Sequence, residues 1–123
     1  MSLSLADLGV AEIVRATTSG DIAVGQVVED CLARISERDP ALNAFSVVLA
    51  QEARAEAARL DDSWQPEGLG PLYGVPVAVK EEIDVSGCVT TFGGRGNSTP
   101  ASADAELVRR LRAAGAVIIG KTR

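Results

Sequence analysis

Histidine is absent from all 123 residues, which removes Ser-His-Asp and Cys-His catalysis and most zinc sites from what this chain can build alone. Cysteine is nearly absent too. Cys31 and Cys88 are the only two, too few for a disulfide framework or a metal-binding set. Cys31 falls on the apolar face of a predicted helix and reads as a small core residue, whereas Cys88 lies in a Gly-rich turn region and reads as packing. Aromatic residues make up only 3% of the chain, unlike an aromatic-rich binding surface. No apolar run approaches the roughly 20 residues of a membrane helix. The first residues also lack the basic stretch and apolar core of a signal peptide. The expectation is a cytoplasmic protein without a membrane partner. Basic residues are outnumbered, 12 Lys and Arg against 17 Asp and Glu for a formal charge of −5. That argues against nucleic acid, whose phosphates require a basic face.

What is present is a core. Hydrophobic residues make up 46% of the chain, much of it Ala and Val, which suits closely packed helices and buried strands rather than disorder. A domain of this length buries roughly two thirds of its unfolded surface. Val10 to Thr18 predicts a short helix stopped by Ser19-Gly20. Val24, Val27, Val28, Cys31, Leu32 and Ile35 recur at the helical period, and Asp39-Pro40 is expected to end that helix. Phe45 to Leu49 predicts a buried strand, and Gln51 to Leu60 has the composition of a surface helix. A polar loop, Asp61 to Gly70, leads to a strand at Val75–Val79, and Gly87 to Pro100 reads as a long irregular connection. Asp104 is expected to cap a helix from Ala105 to Ala114, with Gly115 as its stop and a strand from Ala116 to Ile119. The two apolar strands around that helix predict a parallel β-loop-α-β unit in an α/β fold.

Several motifs invite chemistry. Gly115-Ala-Val-Ile-Ile-Gly120-Lys121-Thr122 satisfies the P-loop pattern. A working P-loop, however, follows a strand and precedes a helix, with amides turned to phosphate. Here the variable residues are themselves strand formers and a helix precedes them, so Gly115 reads as a helix stop and Gly120 as a strand end. Gly93-Gly-Arg-Gly96 reads as a mobile-type loop without the frame of an anion site. Glu81 and Glu82 are neighbours on an extended chain and point in opposite directions, so they read as solvated or structural carboxylates. Arg109, Arg110 and Arg112 read as a solvated helix face near its C-terminal end. Lys80 closes the apolar run Val75-Pro-Val-Ala-Val79. An ordinary lysine, with a pKa of about 10.4, is no base at neutral pH, but one desolvated at the end of a strand can become one. By position alone the exposed or ion-paired lysine is the commoner case.

The blocks Gly70-Pro-Leu-Tyr-Gly-Val-Pro-Val-Ala-Val-Lys-Glu-Glu-Ile-Asp84, Thr90-Thr-Phe-Gly-Gly94 and Asp104 through Thr122, preceded by Cys31 through Phe45, closely resemble in order and spacing the N-terminal part of the amidase signature family. The resemblance implies an α/β enzyme with a mixed sheet flanked by helices, residues 1–123 being the N-terminal portion of a single amidase domain. It implies hydrolysis of small-molecule carboxylic amides, without cofactor or metal, by a Ser–cis-Ser–Lys triad whose lysine is Lys80. Both serines of that triad, and the oxyanion hole, lie in a Gly/Ser-rich segment beyond the Gly-Lys-Thr block. No such segment occurs before Arg123, and Ser86 and Ser98 do not replace it. The family more often has Asp-Asn where Glu81-Glu82 stands. The expectation is therefore a truncated chain carrying one of three catalytic groups, inactive alone, that associates with itself or with the absent remainder.

Overall fold

A computed structural model describes residues 4–123. After a short 3-10 turn, α1 (Val10–Thr18) and α2 (Val24–Leu42) lead into β1 (Phe45–Val48) and α3 (Ala50–Asp62). β2 (Pro76–Lys80), α4 (Glu106–Ala113) and β3 (Val117–Thr122) complete the chain. The sheet has the order β1-β3-β2, with β2 parallel and β1 antiparallel to the central β3. The β2-loop-α4-β3 segment is thus the expected parallel unit within a mixed sheet.

Successive strand residues face opposite ways, and β3 feeds two cores accordingly. Val117 and Ile119 pack with Val24, Val28 and Leu32 of α2 and with Ala53, Ala57 and Leu60 of α3. Ile118 packs on the other face with Val79, Val85, Leu49 and Val108 of α4. The small alanines of α3 let it lie close to α2 and the sheet. Two polar ties fix this layer. The Asp61 carboxylate accepts from the Val24 and Gly25 amides at 2.7 and 2.9 Å, capping α2 from another helix, a contact of about 1 kcal/mol. The Tyr73 hydroxyl donates to the Leu60 carbonyl at 2.6 Å.

Four local expectations are corrected. α2 does not stop at Asp39 but runs through Pro40 to Leu42. Pro40 cannot donate to the carbonyl of Ser36, but both residues are exposed, so water serves that carbonyl. The helix ends instead at Asn43, in the left-handed region at φ 52°, with its amide on the Asp39 carbonyl. β1 is not a buried strand: it lies at a sheet edge, and Ser46, Val47 and Val48 are exposed. Asp104 does not cap α4, whose N-cap is Ala105. Its carboxylate holds the Ser86 amide and Arg112 instead. β3 does not end at Ile119 or Gly120 but continues through Lys121 and Thr122, because β1 and β2 both pair with these residues.

Candidate active site

β2 delivers Lys80 to the C-terminal end of the parallel pair, where open α/β sheets commonly place their chemistry. A cleft of about 760 Å³ lies there, lined by Ser46 of β1, Lys80, Glu81, Glu82 and the 91–95 loop together with Arg123. The Lys80 side chain is 66% exposed and its Nζ lies 3.1 Å from Glu82 Oε1. A pair this open to water is worth at most about 1 kcal/mol. The desolvation expected of a basic lysine is thus not supplied by residues 4–123. Phe92, on the cleft wall, is 73% exposed and sits at φ 53°, a strained conformation for a bulky residue.

Immediately behind Lys80 lies a buried polar cluster. Glu81, 8% exposed, accepts the Ser46 hydroxyl at 2.8 Å and the amide and hydroxyl of Thr91 at 2.7 and 2.8 Å. The wholly buried Lys121 places its ammonium 3.9 Å from Glu81 Oε2 and donates to the Thr90 hydroxyl at 3.2 Å. That hydroxyl donates in turn to Asp84. The two carboxylates do part company, but in a turn after β2 and not on the expected extended chain: Glu81 enters the buried cluster and Glu82 meets solvent.

A one-residue irregularity keeps the two lysines apart. Val77 pairs with Ile118, but Ala78 pairs with Gly120, so Ile119 is an extra residue in β3. Without it Lys121 would stand opposite Lys80 on the same face. With it Lys121 stands opposite Val79, and Thr122 opposite Lys80, and consecutive residues alternate faces. One ammonium goes to the cleft and the other to the interior. Residue order does not reveal this bulge. The apolar Ala-Val-Ile-Ile run before Gly120-Lys121 was the available sign that Lys121 enters a buried layer.

Burial by itself would raise the Glu81 carboxyl, but the Thr91 amide, the Ser46 and Thr91 hydroxyls and the Lys121 ammonium outweigh it and hold it below the ordinary glutamate range. A lowered carboxyl contributes stability that is fully present above its unfolded pKa of about 4.3 and is lost as pH falls through the folded value. The melting temperature is therefore expected to fall on acidification below about pH 4. Thermal melts from pH 7 to 3 check this. The slope over that acid range should be shallower in Glu81→Gln, and an identical slope would contradict the assignment.

The other candidates lie elsewhere. Neither Ser86 nor Ser98 lines the cleft. Cys88 packs beside the Val79–Val108 core, and burial pushes its thiol up, away from the reactive thiolate. Arg109 and Arg110 pair with Glu106 on the exposed face of α4, and Arg112 with Asp104. No helix among the described residues is long and apolar enough to cross a membrane.

Residues 26–123 match the family model for amidases. The chain belongs to the amidase family. Among amidase relatives, AmiB2 of Mycobacterium tuberculosis, which carries the name amidase, is 45% identical over 96% of this chain and 26% of its own length. The 1-carboxybiuret hydrolase subunit AtzE of a Pseudomonas strain is 44% identical over 89% of this chain and 24% of its own. The solved peptide amidase of Stenotrophomonas maltophilia superposes with a TM-score of 0.86 at 34% identity, over 96% of this chain and 25% of that one. The chain thus spans about a quarter of the length of the amidases it matches, and over that span it has their fold.

Proposed function

We propose that this chain supplies the lysine of an amide-hydrolysing amidase. Lys80 is the base, and two serines from outside these 123 residues complete the triad. The observation that carries this reading is the placement of Lys80 at the end of β2, projecting into the cleft. In its neutral form Lys80 takes a proton from the bridging serine, which takes one from the nucleophilic serine as it attacks the amide carbonyl. The amine leaves with a proton, and water then releases the acyl group from the nucleophile. For this the Lys80 amine must be taken out of water, and covering the open cleft with further protein supplies the desolvation. The substrates are small carboxylic amides, and no metal or cofactor takes part.

Alone, the 123 residues are expected to hydrolyse no simple amide. Coexpression with the part of AmiB2 outside its match to this chain should restore hydrolysis of a chromogenic anilide. Activity of the isolated chain that disappears in Lys80→Ala would overturn the division of the triad, and an inactive but assembled pair would count against the role of Lys80.

Exposed Val47 and Val48 on the edge strand β1 favour a second property, association. An edge with unpaired backbone and apolar side chains invites another strand. Light scattering of the isolated chain should show species larger than a monomer, and a monodisperse monomer at high micromolar concentration would refute this.

A further inference from the structure

The polar cluster behind Lys80 is unlike the rest of the interior. Elsewhere the sheet is held by apolar contacts. At this one end a buried lysine and glutamate hold it, although such a pair is often replaceable by apolar residues without loss of stability. Its distinguishing property is direction. Glu81 follows Lys80 directly in the chain, and its carboxylate takes three hydrogen bonds from two other segments, β1 through Ser46 and the cleft loop through Thr91. Lys121 joins β3 to the same cluster and, through Thr90, reaches Asp84 at the far side of the turn. The Glu81 amide is itself bonded to the Thr122 carbonyl, and the Ile83 amide to the Lys80 carbonyl. The backbone around Lys80 is therefore fixed from three sides while its side chain is left open.

We propose that Glu81 and Lys121 are positioning residues for Lys80, a buried clamp that locks the 81–84 turn and the 90–91 segment so that the Lys80 amine is presented to the cleft in one place. The clamp deepens the reading of Lys80 as the base and, as far as catalysis is concerned, rests on it. Both act through Lys80: Lys121 is wholly buried, and Glu81, although it borders the cleft, has both carboxylate oxygens engaged by Ser46 and Thr91.

Two measurements test this. In the chain alone, hydrogen exchange is followed at the Glu81, Ile83, Thr91 and Gly94 amides in Glu81→Gln and Lys121→Met. At least tenfold faster exchange at these amides is expected, with the α2 amides and Ile118 unchanged. Unchanged exchange at the turn and loop, or acceleration spread over the whole chain, would overturn the clamp. In the coexpressed assembly, Glu81→Gln should lower kcat at least tenfold with KM within about threefold. A folded Glu81→Gln assembly with parental kcat, or one whose loss falls on KM instead, would overturn the positioning role. The exchange measurement is independent of activity. A parent assembly without activity sinks the reading of Lys80, while the exchange data still decide whether the clamp exists.

Discussion

Replacing Lys80 with methionine is expected to lower kcat for amide hydrolysis by the coexpressed assembly roughly 10²–10⁴-fold, the loss that accompanies removal of a positioned base. Methionine keeps the length of the stem and removes the amine. In the isolated chain the Lys80 side chain is 66% exposed and pairs with solvent-facing Glu82, so the stability of that chain alone should change by no more than about 0.5 kcal/mol. Chemistry and folding are thereby separated at one position. Lys80→Arg should be as inactive as methionine, since a guanidinium stays protonated at every working pH. Steady-state kinetics with a thermal melt of each variant checks this. A Lys80→Met assembly within tenfold of the parent would end the case for Lys80 as the base.

Gly120→Ala is expected to be the most damaging small substitution in the sheet. A Cβ at Gly120 would lie 2.5 Å from the Val47 carbonyl oxygen and 2.9 Å from the Phe45 ring. Both obstacles belong to β1, and one is backbone. Relief requires β1 to move away from β3, which breaks the pairing of Val48 with Gly120 and Val47 with Lys121. The expected cost is roughly 3 kcal/mol, read as a lower urea midpoint with little change in slope. Gly96→Ala is the matched control. A Cβ there meets nothing within 4 Å, and its effect should stay within about 0.5 kcal/mol. Equal midpoints for the two variants would show that the close approach of β1 is not needed. The same contact explains the glycine of the Gly-Lys-Thr run without phosphate: strand packing demands it.

Local periodicity carried a good part of the architecture. α1 has the bounds that Ser19-Gly20 and its apolar spacing predicted, and Val24, Val27, Val28 and Leu32 form the buried face of α2 as their spacing required. Failures occurred where a distant partner overruled a local preference. Pro40 was tolerated because the carbonyl it abandons faces water. β1 was misjudged because four apolar-rich residues look alike at a sheet's centre and at its edge, and only strand order distinguishes them. Asp104 was drawn from α4 by Arg112 and the Ser86 amide. The place of Lys80 at the end of β2 was legible from the apolar run before it. Lys121 was not, because its role depends on partners 31 and 40 positions away in the chain, at Thr90 and Glu81.

By itself the sequence determined that this chain is an α/β segment of the amidase family, without histidine chemistry, ending the run Val75–Val79 on Lys80. Those conclusions rest on residue types and short-range order, which the chain carries wherever it folds. Only the tertiary structure decided which of the two lysines meets solvent. The extra residue Ile119 in β3 turns Lys80 to the cleft and Lys121 to the interior, because a shift of one residue in a pleated strand exchanges its faces.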